Sequence, residues 1–132
     1  MIERSSGTGQ RSKALPQIIR PRLFLGTELL IGPGKIDLLR AVQATGSISA
    51  AARASGMGYK RAWTLLDEIR QACGAEVIAS SAGGSGGGGG GATLTALGRA
   101  LLAHYEAIEA ACAAASAPHL KRLGRLLKHT DR

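Results

Sequence analysis

The chain has 132 residues and 17 Lys plus Arg against 9 Asp plus Glu, a formal charge of +8 at neutral pH. That length holds one domain with a modest core and no separately folded ligand domain. The charge selects a polyanionic partner such as DNA, RNA or anionic lipid. No apolar run reaches membrane-spanning length, and residues 1–13 are polar and basic without a signal-peptide core, so a cytoplasmic protein is expected.

Residues 1–16 lack apolar periodicity and are read as a disordered basic arm. The β-prone stretch from Ile18 to Leu25 contains Pro21, which cannot donate a ladder hydrogen bond, and so predicts an edge strand ending at Gly26. Pro33 then suits the first turn of a helix running to about Thr45, with Ile36, Leu38, Leu39 and Val42 apolar and Gly46 as its stop. Ser47 is placed to cap a short alanine-rich helix, Ile48 to Ala54, broken by Ser55-Gly56-Met57-Gly58.

From Tyr59 to Cys73 the apolar positions Ala62, Leu65, Leu66, Ile69 and Cys73 mark the clearest amphipathic helix of the chain. Val77 to Ala79 and residues 92–94 predict a hairpin around a tract in which eight of the nine residues from Gly83 to Gly91 are glycine. Thr95 is placed to cap a long helix ending near Ser116, before Pro118. In it Leu94, Leu97, Leu101, Tyr105, Ile108, Cys112 and Ala115 recur at steps of 3, 4, 4, 3, 4 and 3, a seam for the chain's own core or for a second copy. Leu120, Leu123, Leu126 and Leu127 interleave with Lys121, Arg122, Arg125 and Lys128 as a basic amphipathic tail, which orders as a helix on a partner.

Neither cysteine has a metal-ligand or disulfide pattern, the histidines form no cluster, and the polyglycine match to a dinucleotide fingerprint is trivial because no helix follows directly. The carboxylates read as solvated helix charges, so no enzyme and no cofactor are expected. Two helices joined by a tight glycine turn, the second strongly amphipathic, are instead the pattern of a helix-turn-helix reader. Ala52 must be small where the helices cross, and Met57, Ala62 and Leu65 fill the wedge. The opposite face of the second helix carries Lys60, Thr64 and Asp67, flanked by Tyr59, Arg61 and Trp63 at the leading end. Lys and Arg there can donate to guanine edges or phosphates, Thr64 can meet a base edge, and Tyr59 can donate to a phosphate. Trp63 is open between packing and contact, and the glycine loop between phosphate approach and plain linker.

The runs Gly46-Ser47-Ile48-Ser49-Ala50-Ala51-Ala52, Gly56-Met57-Gly58-Tyr59-Lys60-Arg61-Ala62-Trp63 and Ala92-Thr93-Leu94-Thr95-Ala96-Leu97-Gly98, with the glycine wing, resemble the N-terminal domain of ModE-type molybdate-responsive transcriptional regulators, with wider kinship to LysR-type winged helices. The resemblance covers roughly residues 17–115. It implies a mainly α fold with a small β-hairpin and a winged helix-turn-helix over residues 17–117 with a long dimerisation helix at 95–116; the residues after it, 118–132, are read as the basic tail. It further implies a homodimer on a palindromic operator of double-stranded DNA, with molybdenum-related genes as targets.

Candidate DNA contacts are Ser47, Ser49, Tyr59, Lys60, Arg61, Trp63 and Thr64, with Ser85, Gly86 and Gly87 in the wing, and candidate dimer contacts are Leu23, Leu97, Leu101, Tyr105, Ile108 and Cys112. The family's wing commonly has a basic residue where Ser85 stands. Its molybdate-sensing members do so in C-terminal β-barrel domains, so no molybdate binding is expected of this chain. The competing expectation is a protein adaptor that uses the heptad helix and basic tail without specific DNA binding.

Overall fold

A computed structural model describes residues 19–25, 29–81 and 91–127. The chain divides into a compact unit, Arg20–Ile108, and a second unit made of Met1–Ile19 and Glu109–Arg132. The expected basic arm at 1–16 and the glycine wing at Ser85, Gly86 and Gly87 lie outside the described residues.

Within the compact unit the order is β1 (Leu23–Leu25), β2 (Leu29–Ile31), α1 (Pro33–Thr45), α2 (Ile48–Ala54), α3 (Tyr59–Cys73), β3 (Ile78–Ser81) and β4 (Gly91–Leu94), followed by α4 (Ala96–Leu126), which starts in this unit. Two separate two-stranded antiparallel sheets result, β1 with β2 and β3 with β4. The expected strand from Ile18 shrinks to Leu23–Leu25, because Pro21 has no N–H for a ladder. Instead the Pro21 carbonyl accepts a hydrogen bond from the Tyr105 hydroxyl. The pairing strand Leu29–Ile31 is not legible in the sequence, since three consecutive aliphatic residues carry no alternation to identify them.

The core lies where α1, α2 and α3 meet β2, β4 and the start of α4. Ile36, Leu38, Leu39 and Val42 of α1, Ala51 and Ala52 of α2, and Ala62, Leu65, Leu66 and Ile69 of α3 are all buried. Leu102 and Tyr105 close it from α4. Tyr105 is only 2% exposed, which removes it from the dimer contacts and makes it a core residue. Its ring is large enough to span from α4 to the segment before β1 while its hydroxyl finds an acceptor there. Asp37 pairs with Arg20 and Arg40, and Arg40 also reaches Glu106 at 2.9 Å, tying the segment before β1, α1 and α4 by partly solvated ion pairs of small individual worth.

The start of α4 is locked more firmly. Thr95 donates its N–H to the Val77 carbonyl at 2.9 Å and its hydroxyl to the Glu76 carbonyl at 2.8 Å, while its Oγ1 accepts the Gly98 N–H at 3.1 Å as a helix cap. This draws α4 so close that a Cβ on Gly98 would lie 2.4 Å from the Val77 carbonyl oxygen. At its other end the helix does not stop before Pro118, as the sequence predicted, but continues to Leu126 with Pro118 inside it. A helical proline removes one N–H and crowds the carbonyl four residues back, here that of Ala114, which is exposed. The flanking Ala, Leu, Lys and Arg residues are strong helix formers, and the Ser116 hydroxyl donates to the Cys112 carbonyl at 2.6 Å one turn earlier.

Gly98→Ala is expected to destabilise the compact unit by about 1–3 kcal/mol, because backbone must move to admit the methyl. Chemical denaturation of the variant beside the parent measures it; an unchanged midpoint would show that α4 can shift freely against the Val77 carbonyl.

Candidate nucleic-acid interface

The interface begins with a turn. Ser47 caps α2 by accepting the Ala50 N–H at 2.9 Å, and α2 ends seven residues on in a double hydrogen-bonded stop. The Gly56 N–H donates to the Arg53 carbonyl at 3.1 Å and the Met57 N–H to the Ala52 carbonyl at 2.9 Å. This pairing requires a left-handed residue at Gly56, whose φ is 72°. Met57 follows with its side chain packed against the core, as the motif favours.

Gly58 is extended and leads into α3 without a side-chain cap, so the first N–H groups of α3 have no side-chain partner at that end. There the helix presents Tyr59, Lys60, Arg61, Trp63 and Thr64, all exposed. Tyr59 is 55% and Trp63 51% exposed, which resolves the reading of Trp63 toward a surface residue. It stands at a groove of about 400 Å³ bordered by Ile48, Leu66, Arg70 and Ile78. The exposed Thr64 donates its hydroxyl to the Lys60 carbonyl at 3.0 Å. Ser49 is exposed on the first turn of α2, whereas Ser47 is half-buried and its oxygen is engaged in the cap.

Of the expected DNA contacts, the structure thus places Ser49, Tyr59, Lys60, Arg61, Trp63 and Thr64 at the surface of two adjoining helices. The second strand of the wing is tied to the same region, since the Ala92 N–H donates to the Gly46 carbonyl, at the turn between α1 and α2, at 2.7 Å. Of the expected dimer contacts, Leu97 and Ile108 are each 37% exposed, while Leu23 and Leu101 pack in part against the core. Cys112, in the other unit, is half-buried.

A further cluster, absent from the sequence expectations, lies on α3. Asp67 accepts from Arg70 Nε at 2.9 Å and Nη2 at 2.8 Å on one oxygen, and from Gln71 Nε2 at 2.7 Å on the other. The i, i+3 and i, i+4 spacing of Asp67, Arg70 and Gln71 is the signal that could have identified it. The Arg70 hydrogen bonds, against a smaller opposing desolvation and with help from Gln71, hold the Asp67 carboxyl below the ordinary carboxylate value. The charge on Asp67 is therefore present at neutral pH and is lost only as pH falls through that depressed value.

No family model matches the chain. Over 83 residues, 63% of its length, it is 45% identical to the molybdenum-pterin-binding protein MopB of Rhodobacter capsulatus, of which the match covers 30%. It is 36% identical over 84 residues to the DNA-binding transcriptional dual regulator ModE of Escherichia coli K12, covering 64% of this chain and 31% of that protein. The chain thus matches under a third of the length of these relatives. Among solved structures, the CbnR_DBD–DNA complex superposes with a TM-score of 0.52 at 20% identity, over 67% of this chain and 93% of that one.

Two measurements check the site's construction. Ala52→Leu is expected to lower stability by about 1–3 kcal/mol by overpacking a buried position, read by denaturation; no loss would mean slack packing there. The Asp67 carboxyl is expected to titrate by NMR below an ordinary aspartate and to move up in Arg70→Ala; an unmoved midpoint would remove the pair. The fold is a winged helix-turn-helix, and across about two thirds of its length the chain is a homologue of the MopB and ModE proteins.

Proposed function

We propose that this chain is the sequence-specific DNA-binding part of a cytoplasmic transcriptional regulator, acting as a homodimer on a palindromic operator of molybdenum-related genes. The observation that carries the DNA reading is the leading turn of α3. Lys60 and Arg61 stand exposed beside Tyr59, while Ala62 immediately after them is fully buried and seats the helix on the core. A helix held by its back in this way offers its first turns to the major groove. Lys60 and Arg61 then donate to guanine edges or phosphates, Thr64 meets a base edge or thymine methyl, and Tyr59 and Ser49 reach phosphates. The net charge of +8 supports the same partner. The name of the molybdenum-pterin-binding relative MopB supports the molybdenum connection, and that of the ModE relative supports DNA-binding regulation.

For the dimer, the half-exposed apolar residues Leu97 and Ile108 on α4, with Leu101 beside them and Leu23 on β1, are the proposed seam. Two copies joined this way carry two α3 helices to half-sites about one helical turn apart.

Fluorescence anisotropy with a labelled promoter duplex tests the proposal. Lys60→Ala and Arg61→Ala are each expected to weaken binding by about tenfold, and log affinity is expected to fall linearly with log salt. Parent-like affinity in both variants, or a flat salt response, would overturn the DNA reading in favour of a protein adaptor. A strictly monomeric chain in sedimentation, free and on DNA, would overturn the dimer alone.

A further inference from the structure

The outward side of α3 carries more than its charged leading turn. Lys60, Thr64, Asp67 and Gln71 follow one another at steps of 4, 3 and 4, so they form one stripe, opposite the buried Ala62, Leu65, Leu66 and Ile69. From first to last the stripe rises about 16 Å. A helix lying along the major groove would keep it against about five base pairs at 3.4 Å each.

The far end of the stripe is held in one arrangement. A carboxylate only accepts hydrogen bonds, so the contact of 2.7 Å between Asp67 and the Gln71 amide fixes which way that amide is turned. Its nitrogen faces Asp67. One N–H is used there, and the second N–H and the carbonyl oxygen are left to an outside partner. A donor beside an acceptor on a glutamine amide matches the N7 and N6 amino group of adenine in the major groove. The Asp67 carboxylate would by itself repel DNA, but Arg70 neutralises it through two contacts within 2.9 Å.

We propose that Gln71 reads an adenine in the major groove and that Asp67, pinned by Arg70, is the positioning residue that presents the Gln71 amide for it. Pinning also removes rotamer freedom from a flexible side chain before DNA arrives, so less is lost on binding. This rests on the DNA reading above and extends it from the leading turn of α3 to the helix's last turns.

The test uses the full chain. Binding sites are first selected from a randomised duplex pool, and affinities are then measured on the selected duplex and on its single-base-pair variants, at several salt concentrations. Gln71→Ala is expected to reduce discrimination at one A·T position by about tenfold, leaving the other positions and the salt slope as they were. Asp67→Asn frees the Gln71 amide to turn over and is expected to relax the same position, with an unchanged melting temperature and circular dichroism spectrum. A uniform loss over all duplexes, with no position singled out, would make Gln71 a neutral phosphate contact and overturn the proposal. So would an Asp67→Asn protein whose preference at that position equals the parent's. A parent chain that enriches no duplex at all would instead bring down the DNA reading itself, a result distinct from selected sites that Gln71→Ala still distinguishes.

Discussion

The arrangement of the surface depends on one hydrogen bond between peptide groups, donated by Met57 to the Ala52 carbonyl across the turn that joins α2 to α3. Gly56 permits it by taking a left-handed conformation that costs other L-residues roughly 1–2 kcal/mol. Because the bond closes on Ala52, itself buried, the direction in which the chain leaves α2 is coupled to the depth at which α2 sits in the core. The start of α3 inherits that direction. Its buried residues Ala62, Leu65, Leu66 and Ile69 then set the rotation of the helix about its axis, which decides that Lys60, Thr64, Asp67 and Gln71 face away from the protein.

A second set of contacts joins the remaining elements to this frame. Thr95 sits where α4 begins and reaches back to the carbonyls of Glu76 and Val77, just after α3 ends. The same hydroxyl oxygen accepts from Gly98. One threonine therefore ties the segment that follows α3 to the start of α4. Gly46, whose carbonyl takes the Ala92 N–H, makes the corresponding link from the α1–α2 turn to the β3–β4 hairpin. These elements are thus joined by hydrogen bonds to backbone N–H and carbonyl groups, which hold direction better than solvated ion pairs of the kind around Asp37.

The parts legible in the sequence are those where period and punctuation agree. The α3 pattern from Ala62 to Ile69, the Ser47 cap and the stop at Gly56 each follow from a local rule, and each stands in the structure as read. What escaped depends on partners far along the chain. Leu29–Ile31 is a strand only because Leu23–Leu25 lies beside it, and the role of Tyr105 is set by a carbonyl at Pro21. Pro118 misled for the opposite reason: a local breaker was overruled by good helix formers on both sides. The spacing of Asp67, Arg70 and Gln71 permits the cluster, but which of the nearby donors the carboxylate takes is set by side-chain rotamers that spacing does not specify.

The β3–β4 hairpin runs in register from Ile78 with Leu94 to Ser81 with Gly91, so its strands are fixed to each other by four residue pairs. Loop-closure entropy grows only as the logarithm of length, so doubling the number of residues between the strands costs roughly 0.6 kcal/mol. The hairpin is consequently a length-tolerant port. Glycines can be gained or lost, or a peptide tag inserted, with little strain on the helices that orient α3.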